Sequence, residues 1–186
     1  RKPAVAVFTL ADYVSAGIMD AWQAEALGAA VAERKNILVA GGTSTGKTTL
    51  TNALLAEVSS SPDRVVLIED TRELQCAAPN LVSLRTKDRG AEALDLLKAW
   101  GTGHPGGIGT IHAGSALGTL RRLEQLIQES VVTVPRALIA ETIDVIAVLV
   151  RDGAGRRLAE LAKVRALDAS GEYVLVPLPH TQGDPS

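Results

Sequence analysis

Three stretches of the chain carry residue types whose spacing could do chemistry. The first, "GGTSTGKTT" at 41–49, matches G-x-x-x-x-G-K-[ST] at Gly41, Gly46, Lys47 and Thr48. Glycines let a backbone curl until successive N–H groups converge on one anion at a helix N-terminus. Gly42, Thr43, Ser44, Thr45, Gly46, Lys47, Thr48 and Thr49 are therefore expected to wrap the phosphates of a nucleotide. Lys47 would bring a compact positive charge to the β- and γ-phosphates, and the Thr48 hydroxyl would face Mg²⁺. An ordinary glycine-rich turn requires neither residue. The pattern predicts nucleotide and magnesium binding but leaves an ATPase, a GTPase and a small-molecule kinase open.

The second stretch is "IEDTREL" at 68–74, where Glu69 and Asp70 close an apolar run and Thr71, Arg72 and Glu73 follow. In an open α/β sheet, ligands sit beyond the carboxyl ends of the strands. Two acids there can hold Mg²⁺ and polarise an attacking water; a solvated turn with a helix-capping Asp is the plainer alternative. The third is "GTGHPGGIGTIHAGS" at 101–115, with His104 and His112 on either side of a glycine-rich turn and a short strand. The spacing fits no zinc pattern and no cysteine lies nearby. An imidazole at a strand end, close to the γ-phosphate, is the functional reading; a hydrogen-bonded structural histidine is the bland one.

The elements needed to position these groups can be read from periodicity. Residues 1–10 read as extended, and Asp20 as the cap of a helix through "AWQAEALGAAVAERK". "NILVA" (36–40) is a short apolar run ending in glycines, as a buried parallel strand requires, and a helix is expected from Lys47 to about Val58. "RVVLIED" and "NLVSLRT" predict further strands, "GAEALDLLKAW" a helix and "GGIGTIHA" a glycine-flanked strand. Helices fit 116–130 and 135–141, the second with Pro135 in its first turn. "TIDVIAVLV", "RRLAELAKVRAL" and "EYVLVPL" read as closing strands separated by "DGAG" and "DASG" turns. The expected fold is α/β, a mostly parallel sheet with helices on both faces and antiparallel C-terminal strands.

Bulk properties narrow the function classes. A chain of 186 residues, 46% hydrophobic and 22% charged, has enough material for one domain with a real core. Aromatic residues are only 3% and the formal net charge is −2, so neither a base-stacking surface nor a basic groove is advertised, and direct DNA binding is not expected. No run approaches the roughly 18–20 apolar residues of a membrane span. The single Cys76 excludes an internal disulfide, favours a reducing compartment and reads as a small packing residue.

In their order, "GGTSTGKTT", "IEDTREL" and "GHPGGIGTIHA" resemble the Walker A motif, Asp box and His box of the secretion ATPases. That family powers type II secretion, type IV pili, type IV secretion and conjugation, and "VAGGTSTGKTTLTNALLAE" and "IEDTRELQC" look most like its conjugal-transfer members. The similarity runs from about Phe8 to about Leu178. It implies a RecA-like P-loop motor domain over 13–178 after a linker remnant at 1–12, with a flexible tail at 179–186. It also implies a hexameric ring working with inner-membrane partners, cytoplasmic and peripheral at that membrane. Carried across by position, the resemblance makes Lys47, Glu69, Glu73 and His112 catalytic, with His104 supporting the His112 loop, and assigns Mg²⁺ to Thr48 and Asp70. ATP and Mg²⁺ are the implied ligands. An arginine from another domain or subunit is expected to complete the site, with Arg1, Arg72, Arg85 and Arg89 as candidates. Arg121 and Arg122 read as a solvated helix face, with an inter-subunit contact as the alternative.

Two parts of the family pattern are missing. The chain starts at what resembles an interdomain linker. More sharply, "SLRTKD" runs straight into "RGAEALDLLKAW", so the family's Walker B strand and its acid, expected between the Asp and His boxes, are absent. Losing a central strand would cost more than the roughly 5–15 kcal/mol net stability of a domain. The 88/89 join is therefore expected to mark missing residues. A scaffold that binds nucleotide without hydrolysing it is the competing reading. A P-loop kinase would need an arginine-rich lid, which the sequence lacks.

Overall fold

The computed structural model describes residues 8–58, 65–69, 81–85, 89–153 and 155–178; at 65–69, 81–85 and 89–92 the description is of backbone alone. Helices α1 (Leu10–Ser15) and α2 (Ala21–Ala32) lead into strand β1 (Ile37–Gly41) and helix α3 (Lys47–Val58). Strands β2 (Val65–Glu69) and β3 (Leu81–Arg85) precede helix α4 (Arg89–Gly101) and strand β4 (Ile108–Ile111). Helices α5 (Ala116–Gln128) and α6 (Arg136–Thr142) are followed by strands β5 (Val145–Asp152), β6 (Gly155–Leu167) and β7 (Tyr173–Pro177).

The five-stranded sheet has the order β4-β1-β5-β6-β7. β1 runs parallel to both β4 and β5, while β5, β6 and β7 are antiparallel. β1 is second from the β4 edge, between two parallel neighbours, and all five of its residues are buried. Such a position demands the unbroken apolar run that Ile37, Leu38, Val39 and Ala40 provide. The pleat sends Leu38 and Ala40 to one face, where Leu97, Trp100, Leu120, Ile127 and Ile139 of α4, α5 and α6 pack. Ile37 and Val39 point to the other, against Leu27 of α2 and Leu50 and Leu54 of α3. Helices thus cover both faces, as expected. α5 shows the cause clearly: Leu120, Leu123 and Ile127 recur at helical spacing and are buried, whereas Arg121, Arg122 and Gln125 are exposed.

Two features depart from the sequence-based expectation. Leu10–Ser15 is helical, although 1–10 read as extended and 1–12 as linker. The signal is local: the Thr9 hydroxyl accepts from Asp12 N–H while the Asp12 carboxylate accepts from Thr9 N–H, a reciprocal cap. The strands also fall into two sheets. β2 and β3 form a separate parallel pair, and among the described residues β4 is hydrogen-bonded on its β1 side alone. Residues 86–88 lie outside the described residues, as do the proposed linker start and the tail.

Candidate phosphate-binding site

The loop between β1 and α3 is shaped by two close approaches. A Cβ on Gly41 would stand 2.6 Å from the Leu149 carbonyl oxygen of the neighbouring strand, so only glycine lets the chain leave the sheet here. Gly46 has φ +93°, in the left-handed region, and Ser44 between them has φ +58°. The result is a tight curl that ends where α3 begins at Lys47, placing a helix N-terminus at the loop's mouth.

Within the curl, Thr45 is buried and its hydroxyl donates to the Gly42 carbonyl at 3.0 Å. Lys47 folds back over the same backbone, its Nζ donating to the Gly41 and Gly42 carbonyls at 2.9 and 2.7 Å. Partial burial holds the lysine below its ordinary pKa. Gly42, Thr43 and Ser44 are exposed, and Thr48 and Thr49 half-buried in the first turn of α3. A cradle of this kind, with a helix N-terminus and one cation held ready, fits a chain of phosphates. Thr48, the first expected magnesium ligand, lies in the first turn of α3, while the second, Asp70, lies outside the described residues.

His112 follows the last residue of β4 and comes to Lys47 from a distance of 65 residues in sequence: its Nδ1 is 3.4 Å from Lys47 Nζ. The contact brings the second histidine to the phosphate loop. His104 is not part of it. It stands exposed before β4, its N–H on the Ala99 carbonyl, so the four-residue strand separates the two rings by roughly 13 Å of rise. His104 does not support the His112 loop. That end of β4 is instead fixed by Asn36, buried, whose Oδ1 accepts from Gly106 and Gly107 N–H at 3.0 Å each while Nδ2 donates to the Thr142 carbonyl at 2.7 Å. A lone asparagine before an apolar run gives no hint of this in sequence.

The turn after His112 is anchored twice. Ser115 caps α5, its hydroxyl accepting from Gly118 N–H at 3.0 Å, and the Glu160 carboxylate of β6 accepts from Ala116 N–H at 2.9 Å. Glu69 ends β2 with only its backbone described; Asp70, Arg72, Glu73, Cys76 and Arg1 lie outside the described residues, and the side chains of Arg85 and Arg89 likewise. Arg121 and Arg122 lie on the solvent face of α5, near Glu172 (3.7 Å) and bonded to Gln125 (3.1 Å) respectively. Among the described residues no cluster of His, Cys, Asp and Glu suits a metal, and no helix is long and apolar enough to cross a membrane. A cleft of about 300 Å³ lined by Trp22, Ala26, Lys35, Asp144 and Lys163 opens at the start of β5, the end of the sheet away from the loop.

The type II/IV secretion system protein family matches this chain in two segments, residues 4–89 and 88–171, which meet at the 88/89 join. Conjugal transfer protein TrbB of Rhizobium radiobacter is 43% identical, over 88% of this chain and 59% of its own length. That alignment spans 190 residues, more than the whole 186-residue chain, so some residues of the relative have no counterpart here. Type IV secretion system protein PtlH of Bordetella pertussis is 36% identical over 77% of the chain and 56% of its own. Among solved structures, the VirB11 ATPase of Brucella suis, crystallised with sulphate, superposes with a TM-score of 0.65 at 30% identity, covering 83% of this chain and 54% of that one. The chain thus spans little more than half the length of these relatives. Both the phosphate loop and the His112 strand fall inside the matched segments, and the chain belongs to the type II/IV secretion system protein family.

Proposed function

We propose that this chain is the nucleotide-hydrolysing part of a conjugation or type IV secretion motor, a RecA-like P-loop domain that assembles as a ring, expected to be hexameric. It would couple ATP hydrolysis to transfer of a DNA–protein substrate or to pilus assembly, at the cytoplasmic face of the inner membrane and in contact with membrane components of the machine. The observation that carries the reading is the meeting of Lys47 with His112 over the curled loop, since it joins a phosphate anchor to a group on a different strand. A type II secretion or type IV pilus motor uses the same parts and is separated by partners alone.

In this reading Gly42 to Thr49 hold the phosphates through backbone N–H groups, and Lys47 exchanges its two carbonyl partners for β- and γ-phosphate oxygens. Thr48 and Asp70 would hold magnesium, which would neutralise charge on the phosphates. Glu69 positions the attacking water, with Glu73 a neighbouring catalytic acid, and His112 answers to the γ-phosphate from the end of β4. Phosphate release from MgATP, measured for the chain and for Lys47→Ala, tests this: release that falls at least about 100-fold in the variant supports it. Release that is the same in both excludes it.

A second reading, a nucleotide-binding scaffold without hydrolysis, has its own support. β4 lacks an outer neighbour among the described residues, β2–β3 stand as a separate pair, and the family match changes segment at 88/89. A strand missing there would take with it the Walker B acid expected between the Asp and His boxes. Lys47-dependent nucleotide binding without any phosphate release would favour this reading over the first.

A further inference from the structure

Arg156 is the second residue of β6, beside the turn from β5, and its side chain lies against the phosphate loop at Gly46. A Cβ on Gly46 would come within 3.1 Å of the Arg156 Nη1, 3.4 Å of its Cδ and 3.6 Å of its Cζ. The guanidinium therefore rests against loop backbone that only a glycine leaves bare. Arg157, next along the strand, engages Asp152 at 3.4 Å. Arg156 is exposed and has no ion pair among the described residues.

A second observation concerns what faces it. Arg151 of β5 is the direct cross-strand partner of Arg156, and it too is exposed without an ion pair among the described residues. Like charges placed opposite each other in an antiparallel pair are destabilising unless something neutralises them. An anion seated in the adjacent loop would do so. Lys47 and His112 flank the loop on the β4 side, and Arg156 reaches it from the β5–β6 side.

We propose that Arg156 binds the phosphate chain of the nucleotide from within the same subunit, on the flank opposite Lys47 and His112. This rests on the nucleotide-binding reading of the loop given above. A guanidinium suits the task because its forked N–H groups match phosphate oxygens two at a time. The contact at Gly46, inside the anion-binding curl, favours phosphate over base as the group it meets.

Isothermal titration with MgADP and with magnesium pyrophosphate separates the possibilities, using the unaltered chain, Arg156→Ala, Arg156→Lys, Arg157→Ala and Lys47→Ala. Arg156→Ala is expected to weaken both ligands about 5- to 30-fold, with Arg156→Lys recovering part of the loss. Arg157→Ala, whose ion pair is exposed, should stay within about 2-fold of the unaltered chain. Equal affinity in Arg156→Ala and the unaltered chain, with Lys47→Ala impaired, overturns this proposal and leaves the loop reading standing. Weakened MgADP with unchanged pyrophosphate also overturns it, by assigning Arg156 to the base or ribose. An unaltered chain that binds neither ligand overturns both together.

Discussion

β1 and β4 each bring one partner to the Lys47–His112 contact, yet they are built differently. β1 is buried at every position, paired on both sides, and leaves the sheet through a glycine wedged against Leu149. β4 is four residues long, half-buried at Ile108 and Gly109, exposed at Thr110, and paired with β1 alone among the described residues. The phosphate loop is thus an extension of the interior, whereas His112 rides on a margin held by side-chain anchors at its two ends. In the proposed motor, binding and response would fall to parts of unequal burial and pairing, which is how a site can keep its grip on an anion while the group opposite moves.

The contrast makes graded predictions. Gly41→Ala sets a methyl against backbone that cannot yield, so unfolding free energy should fall by about 3 kcal/mol or more, read from denaturant curves. A loss below about 1 kcal/mol would mean that the β1 exit is as pliable as β4. Next, Asn36→Leu strands two N–H groups before β4 and the Thr142 carbonyl at the end of α6, with an expected loss of about 2–3 kcal/mol and faster amide exchange at Gly106 and Gly107. Unchanged exchange would show that β4 does not depend on that clamp.

Ser115→Ala removes the cap of α5 just beyond His112 and should cost about 1 kcal/mol, while leaving amide protection in β1 untouched. Protection lost in β1 as well would erase the distinction between the two strands. The smallest effect belongs to a turn remote from both. The Asp168 carboxyl is held below its usual range by the Ser170 hydroxyl and the Glu172 and Ser170 N–H groups. Because its folded pKa is depressed, its contribution is present above the unfolded value of about 3.9 and fades as pH falls through the folded one. The melting temperatures of the chain and of Asp168→Asn should therefore differ near neutrality and converge in acid; a gap that persists there would refute the assignment.

Much of this was legible in the residues, for identifiable reasons. The apolar run before Gly41 and the Lys47–Thr48 pair announce a strand, a curl and a helix because each residue has few other conformational uses. β6 was readable as a strand despite the helix-favouring composition of "RRLAELAKVRAL", because turn signals bound it on both sides. α1 was hidden because its six residues are too short for a periodic signal, although the Thr9–Asp12 cap marks its start. The contacts of Asn36, Glu160 and Arg156 are with partners 44 to 110 residues away, which spacing alone does not reveal. His104 shows the converse error: nearness to His112 in sequence suggested a shared site, and a short strand carries the two rings apart.

The open margin of β4 has a consequence for handling the protein in solution. Its outer row of N–H and C=O groups, among the described residues, has no strand beside it, and Ile108 to Ile111 includes no lysine or proline to discourage one. Brevity is the safeguard that remains, since four residues give a passing chain little to zip onto. Conditions that fray Asn36 or the α5 cap would lengthen the exposed ribbon, so self-association at high concentration should rise with loss of those anchors before the interior melts.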